Sequence, residues 1–391
     1  MYSHDSRTLR KGDTFLCLPG GEAFCDEALK RGAANIITCS RQEMADIANR
    51  AYDFPSKKLN VIGVTGTNGK TSVCSFVGQA LQVLGRKPLV QGTLNSPLTT
   101  PESLDTLTTI HAHVQEGGTD FIMEVSSHGI DQGRIEGIDF TIKCLTNISQ
   151  DHLDYHPSFE HYRDTKERFM NDYPGTSLRP SGYLSYDDML NKNLKGSFNQ
   201  HNLKAALAIL IESGFSLDES VRALQEVKAP PGRFEAISST APFEVVVDYA
   251  HTPDALENTL KEAKEMALKQ NAQLITCFGC GGDRDKSKRP LMAKAAAKYS
   301  DVIIVTQDNP RTENPTHIVN DIIEGFCHED DYSIQEDRKK AIELALQSAQ
   351  KHDVVVIAGK GHEAYQMIGK ESLPFDDKEI ALASLIQMGY A

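Results

Sequence analysis

The chain has 391 residues, more than one hydrophobic core usually fills, so two or three domains are expected. Its formal charge of −13, from 41 basic and 54 acidic residues, argues against a nucleic-acid partner, which would need a basic face. The opening Met1-Tyr2-Ser3-His4-Asp5-Ser6-Arg7 is polar with no apolar h-region behind it, and no run approaches the ~18 apolar residues of a membrane span, so a cytoplasmic protein with no membrane partner is expected.

Before Leu59 the chain is too short for a large domain, and Asp53 to Lys58 reads as a linker. Leu59 to Val64 is an apolar run that predicts a buried strand, followed by Gly66-Thr67-Asn68-Gly69-Lys70-Thr71 and a helix over Ser72 to Leu84. A strand, a glycine turn and a helix make a cradle for nucleotide phosphates. Gly66 and Gly69 let backbone N–H groups approach phosphate oxygens, Lys70 can reach the β/γ-phosphates, and the Thr71 hydroxyl can ligate Mg²⁺. Val64 stands where the ordinary Gly-x-x-x-x-Gly-Lys-Thr has its first glycine, which points to a subclass. ATP is therefore the first ligand to expect.

A helix over Ser103 to Gln115 and strands over Phe121 to Val125 and Cys144 to Ile148 follow. Glu124-Val125-Ser126-Ser127-His128-Gly129 emerges at the end of the first of these strands, where open α/β sheets place ligands. Thr146 to His156 emerges from the second. Glu124 and His152 could complete magnesium shells with Thr71, whereas Asp154 and His156 read equally well as surface turn residues. A second series of strands begins near Phe243: Val245 to Val247, Leu274 to Phe278, Val302 to Val305 and Val354 to Ile357. Helices such as Arg289 to Tyr299 and Lys339 to Gln350 separate them. The alternation predicts an α/β protein with parallel sheets and two α/β domains, and the seam is expected at Ala229-Pro230-Pro231-Gly232, where consecutive prolines interrupt helix and strand. Cys277 and Cys280 have redox-motif spacing but no second Cys/His pair, and in a reducing compartment they read as structural.

Taken together, Thr99-Thr100-Pro101-Glu102, the two segments above, Tyr162-Arg163-Asp164-Thr165-Lys166, Gly196 to Asn202, Gly232-Arg233-Phe234-Glu235, Asp248 to Asp254, Gly281 to Lys286, Asp308-Asn309-Pro310-Arg311 and Gly359 to Glu363 resemble the Mur ligase family across nearly the whole chain. The likeness is strongest to its MurE branch, which adds the third residue of the peptidoglycan stem peptide. The resemblance implies three domains: a shortened UDP-sugar-binding domain over 1–57, a central P-loop ATP-binding domain over 58–231 and a C-terminal Rossmann-like domain over 232–391. It implies an ATP- and Mg²⁺-dependent ligase, monomeric, that phosphorylates a substrate carboxylate and lets an amine attack the acyl phosphate.

It also assigns residues. Lys70, His152 and Lys166 would be catalytic, and Lys166 would carry a carbamate that joins Thr71, Glu124 and His152 around the metal. Gly66 to Thr71, Asn199, Asn202, Arg233 and Asp248 would hold ATP, with His251 as a possible assistant or a packed histidine. Ser6, Thr99, Thr100, Ser126, Gln132 and Arg134 would hold UDP-MurNAc-L-Ala-D-Glu. Arg284, Asp308, Asn309, Pro310, Arg311, Gly359 and Glu363 would hold meso-diaminopimelate, whose distal carboxylate suits an arginine fork where lysine's ammonium would be repelled. Two departures stand out: the family's Asp-Gly-x-x-Phe stretch is present only as Gly20-Gly21-Glu22-Ala23-Phe24, and Asn314 replaces an acidic residue and is expected to shape its loop. The short N-terminal part leaves open a Mur-type ligase acting on another carboxylate or amino acid, or a nucleotide-binding scaffold. Intact Lys70, Thr71, Glu124, His152 and Lys166 argue against the last.

Overall fold

The computed structural model describes residues 1–153, 155–186, 191, 194 and 196–390, so Asp154 lies outside the described residues. Packing divides the chain into two units: Met1–Ile148 with Glu160–Lys192 and Gln200–Val227, and Ser149–Phe159 with Asn193–Asn199 and Lys228–Ala391.

In the first unit, β1 (Tyr2–Ser3), β2 (Thr14–Cys17) and β3 (Asn35–Thr38) form a small parallel sheet. These strands are too short to show a period in the sequence. A helix over Arg41–Tyr52 follows, started by a capping box in which Ser40 and Glu43 exchange hydrogen bonds. Its Met44 and Ala48 join Leu16, Val61, Leu104 and Phe121 in one core, so the N-terminal segment packs continuously onto the sheet that follows. That sheet contains β4 (Asn60–Thr65), β5 (Pro88–Gln91), β6 (Asp120–Glu124), β7 (Ile142–Leu145) and β8 (Thr176–Leu178), all parallel in the order β5-β6-β4-β7-β8. Val64 pairs with Glu124 on one side and Cys144 on the other, so β4, β6 and β7 end level and present their following residues at one edge. The expected helices are Lys70–Val83, two residues earlier than the sequence suggests, and Ser103–Gln115, as expected. The expected linker contains a helical turn over Pro55–Lys58.

The second unit contains β9 (Glu235–Ala236), β10 (Glu244–Asp248), β11 (Leu274–Cys280), β12 (Val302–Gln307), β13 (Tyr332–Ile334) and β14 (Val354–Ala358) in the order β13-β12-β11-β14-β10-β9, with only β9 antiparallel. Val246, Phe278 and Val356 face one core, and Val245, Val247, Ile275 and Val355 face another. Burial on both faces explains why these strands read as unbroken apolar runs. Cys277 and Cys280, three residues apart on β11, fall into opposite cores, and burial pushes both thiols up to about 12. A hairpin of β15 (Tyr365–Ile368) and β16 (Glu371–Pro374) completes the unit. No helix among the described residues is long and apolar enough to cross a membrane.

Candidate active site

The turn after β4 is a built cradle. Gly66 sits at φ +146, and a Cβ there would lie 1.9 Å from Thr146 Oγ1; at Gly69, φ +87, it would lie 2.3 Å from Asn202 Oδ1. Only glycine allows so close an approach of backbone and neighbours. The backbone N–H groups of Thr67 and Asn68 donate to Asn147 O at 2.9 Å and Asn147 Oδ1 at 3.0 Å, while Thr146 Oγ1 donates to Asn68 O at 2.6 Å. Lys70 opens its helix and donates to Gly66 O and Thr67 O, each at 2.8 Å. Asn202 thus lies beside Gly69 in the cradle.

Thr71 and Glu124, the expected metal ligands, meet: Thr71 Oγ1 donates to Glu124 Oε2 at 2.9 Å, and both are buried. Thr93, which no sequence motif singles out, donates to the same carboxylate from its N–H at 2.9 Å and its hydroxyl at 3.2 Å. Among the described residues no cluster of three or more His, Cys, Asp and Glu could hold a metal by itself.

Lys166 lies on the helix Phe159–Asp172, not in solvent but 1% exposed, with its Nζ 3.0 Å from Gly66 O and 4.8 Å from the centre of the Tyr162 ring. Tyr162 OH in turn meets Thr67 Oγ1 at 2.8 Å. Two lysines, 70 and 166, thus converge on one carbonyl. The helix end is held by Lys143, buried on β7, which donates to Met170 O at 2.8 Å and also to Tyr173 O. His152 belongs to the second unit, at φ +55, with its Nε2 3.4 Å from Asp151 Oδ2.

The residues expected to hold the nucleotide-sugar peptide extend from the same carboxylate strand. Thr100 Oγ1 lies 2.9 Å from Glu124 O and 3.0 Å from Ser126 Oγ, and Ser126 caps the short helix after β6 by accepting from Gly129 N. Thr99 Oγ1 meets Thr93 Oγ1 at 3.1 Å. Arg134 donates to Thr100 O at 3.1 Å and to Gln132 Oε1. Thr99, Thr100, Ser126, Gln132 and Arg134 are therefore one hydrogen-bonded patch. Ser6 is placed apart, buried in the N-terminal segment with its hydroxyl 3.1 Å from Glu27 Oε2.

In the second unit, Asp248 ends β10 and organises the turn around Arg233. Its oxygens accept from Phe234 N at 2.6 Å, Ala250 N at 3.0 Å and Thr259 Oγ1 at 2.9 Å. Burial raises its carboxyl against those bonds. The Arg233 guanidinium lies 4.4 Å from the centre of the Tyr249 ring, which also contacts His251 and His362. Burial lowers both histidines to about 4, so they are neutral at pH 7. Asn199 is buried near the start of the helix Ser197–Glu212.

The loops after β11, β12 and β14 form the remaining cluster. Arg311 sits at φ +52; its Nη1 donates to Gly282 O at 2.7 Å, and its backbone pairs with Ile368 of the β15–β16 hairpin. Gly281 lies between Arg311 and Arg284, since a Cβ there would stand 2.9 Å from Arg311 Nη1 and 3.8 Å from Arg284 Cγ. Arg284 lines a cavity of about 560 Å³ with Asp283, Asp285, Lys286, Ser287 and Glu313. No carboxylate among the described residues pairs with Arg284 or Arg311, whereas the fully buried Arg289 holds Glu313 at 2.9 Å and Asp321 at 2.7 Å. Arg289 beside it holds the Glu313 carboxyl down to about 2. Asn309 donates to Glu363 Oε2 at 2.8 Å, and buried Lys360 bridges Asn309 Oδ1 at 3.0 Å and Glu363 Oε2 at 3.2 Å. Asp308 faces Gly359, where a Cβ would lie 2.8 Å from its Oδ2, and the Pro310 carbonyl crowds Gly282 in the same way at 2.0 Å. Asn314 shapes its loop by capping the helix Pro315–Ile323, accepting from Thr316 N at 2.9 Å.

Residues 64–209 match the Mur ligase middle domain, and residues 232–361 match the Mur ligase glutamate ligase domain. The UDP-N-acetylmuramoyl-L-alanyl-D-glutamate--2,6-diaminopimelate ligase of Fusobacterium nucleatum subsp. nucleatum is 37% identical, with 98% of this chain and 93% of that protein covered. A solved structure of a ligase of the same name is 30% identical with a TM-score of 0.63, covering 99% of this chain and 95% of the other. The MurF ligase of Thermotoga maritima, solved in complex with ADP, is 16% identical with a TM-score of 0.65, covering 99% and 96% respectively, a likeness of fold alone.

Proposed function

The chain belongs to the Mur ligase family, and from that premise we propose that it is an ATP-dependent ligase adding meso-diaminopimelate to UDP-MurNAc-L-Ala-D-Glu in peptidoglycan precursor synthesis. It would work in the cytoplasm as a monomer, with residues 1–57, 58–231 and 232–391 as the nucleotide-sugar, ATP and amino-acid domains. The observation that carries the choice of amino acid is the pair Arg284 and Arg311, which flank Gly281 without a carboxylate partner among the described residues, whereas Arg289 on the helix Lys288–Tyr299 is paired with Glu313 and Asp321.

The substrate carboxylate takes the γ-phosphoryl group of ATP, and the amino acid's amine then attacks the acyl phosphate and expels phosphate. Lys70 and the Gly66–Thr71 turn would hold the phosphates in line, a task of positioning and charge neutralisation. Asn199, Asn202, Arg233 and Asp248 are proposed to contact the base, phosphate and ribose. Thr71 and Glu124 would supply the hard oxygen ligands that Mg²⁺ favours, with His152 proposed to join them, and the ion would neutralise phosphate charge. Ser6, Thr99, Thr100, Ser126, Gln132 and Arg134 orient the nucleotide-sugar peptide. Glu363, steadied by Lys360 and Asn309, faces an ammonium of the amino acid, and Arg311 forks its distal carboxylate.

Lys166 fits a carbamate because its buried amine shares the Gly66 carbonyl with Lys70. Replacing one of two converging cations by a carboxylate relieves their repulsion and creates an oxygen ligand. Lys166→Ala is expected to lose about ten- to a hundredfold in activity, as for loss of a group that tunes a metal site, and to regain part of it with added short carboxylic acids. Full activity without them would remove this role.

Arg311→Ala is expected to lose a charge-assisted pair worth roughly 1.5–3 kcal/mol, about ten- to a hundredfold in kcat/KM for diaminopimelate. Lysine use should hold or rise slightly, because the arginine also repels lysine's terminal ammonium. An equal fall for both amino acids would mean that Arg311 only supports its loop.

A further inference from the structure

We propose that Cys17 and Cys25 are an oxidation site, at which a hydroperoxide converts the two thiols into an intramolecular disulfide closing the Leu18–Phe24 loop. Cys17 ends β2 and is buried, while Cys25 opens the helix Cys25–Lys30 and is partly exposed; their sulfurs lie 3.3 Å apart, with Cys25 Sγ donating to Cys17 Sγ. A disulfide bond of about 2.05 Å requires the sulfurs to close by about 1.3 Å. The Gly20-Gly21 turn that separates the two cysteines holds them in place through Gly21 N to Leu18 O and Phe24 N to Gly21 O, each at 2.9 Å. The third thiol nearby, Cys39, does not compete. Cys17 and Cys25 belong to a small core with Leu9, Phe15 and Ala28, whereas Cys39 faces the larger core shared with Leu16 and Met44.

The unequal exposure gives the two thiols different tasks. The Cys25 thiolate reaches the oxidant, attacks a peroxide oxygen and breaks the O–O bond, leaving a sulfenic acid and releasing water or an alcohol. Cys17 then gives up its proton and attacks the Cys25 sulfur. The S–O bond breaks, a water leaves, and the two electrons lost by the thiol pair are those gained by the peroxide. Burial pushes the Cys17 thiol up to about 11, which makes its sulfur a poor leaving group and the disulfide, once formed, slow to open.

The loop that would be closed is Gly20-Gly21-Glu22-Ala23-Phe24 with its flanks, the stretch in this chain corresponding to the family's Asp-Gly-x-x-Phe, and Phe24 is 53% exposed on it. A covalent closure should therefore change how the nucleotide-sugar is held, a consequence that rests on the proposed function, while formation of the bond does not. The test treats the reduced full chain with graded hydrogen peroxide, blocks remaining thiols with N-ethylmaleimide, digests and reads the peptides by mass spectrometry. A peptide pair joined through Cys17 and Cys25, lost on adding dithiothreitol and absent in Cys25→Ser, is the expected result. Cys25 found as sulfinic or sulfonic acid, or joined to any other cysteine while Cys17 stays alkylatable, would overturn the assignment. In the linked protein the KM for the UDP-substrate should shift severalfold while that for ATP holds. Unchanged constants would refute the effect on recognition, and no turnover even when reduced would refute the proposed function and leave the linkage standing.

Discussion

Replacing Arg338 by alanine is expected to cost about 3–5 kcal/mol of stability, because it strands a buried carboxylate. Arg338 and Asp377 are both 0% exposed; the guanidinium holds Asp377 through Nε at 2.8 Å and Nη2 at 2.7 Å. It also donates to Gln307 O at 3.1 Å and Ala358 O at 3.0 Å. Those carbonyls close β12 and β14, immediately before the Asp308–Arg311 and Gly359–Glu363 loops. One side chain therefore ties together the strand ends that present the amino-acid site. Urea denaturation of wild type and Arg338→Ala, followed by fluorescence and circular dichroism, should show a large fall in midpoint. The double variant Arg338→Met with Asp377→Leu should recover much of it, since it leaves no unpaired charge. A loss below about 1 kcal/mol in the single variant would show the pair to be solvated rather than buried.

Lys70→Ala should lower kcat by about a hundred- to a thousandfold, the scale seen when a preorganised group that stabilises transition-state charge is removed. The fold should survive, because alanine is at least as good a helix former as lysine and the backbone of the cradle is held independently through Asn147 and Thr146. Initial rates with all three substrates, alongside thermal melts, separate the two effects. A variant within tenfold of wild type would mean that Lys70 stays on Gly66 O and Thr67 O and never reaches phosphate.

What was legible in the sequence follows from how many residues carry each signal. The helix Ser103–Gln115 announces itself by its helical period, and the strands through Val61, Phe121, Val246 and Val355 by unbroken apolar runs that are buried on both faces. The N-terminal strands could not, as β1 has two residues and β2 and β3 four each. The phosphate cradle was legible because its chemistry is local in the chain. Thr93 was not, since a threonine signals nothing until the fold sets it against Glu124. Nothing in the sequence marks Arg289 or Arg338 as buried, and only long-range contacts with Glu313, Asp321 and Asp377 reveal them as anchors. Lys166 shows the same limit: a lysine on an amphipathic helix points to solvent by default, and its burial depends on Gly66, a hundred residues earlier in the chain.

Ligase activity is decided by incubating the purified chain with ATP, Mg²⁺, UDP-MurNAc-L-Ala-D-Glu and meso-diaminopimelate and weighing the products by mass spectrometry. A new species heavier than the UDP-substrate by diaminopimelate less one water is expected, formed with one ADP and one phosphate per amide bond and absent when any component is omitted. ATP turnover that proceeds without diaminopimelate, or a product formed only when lysine or a different carboxylate substrate is supplied, would contradict the proposed function.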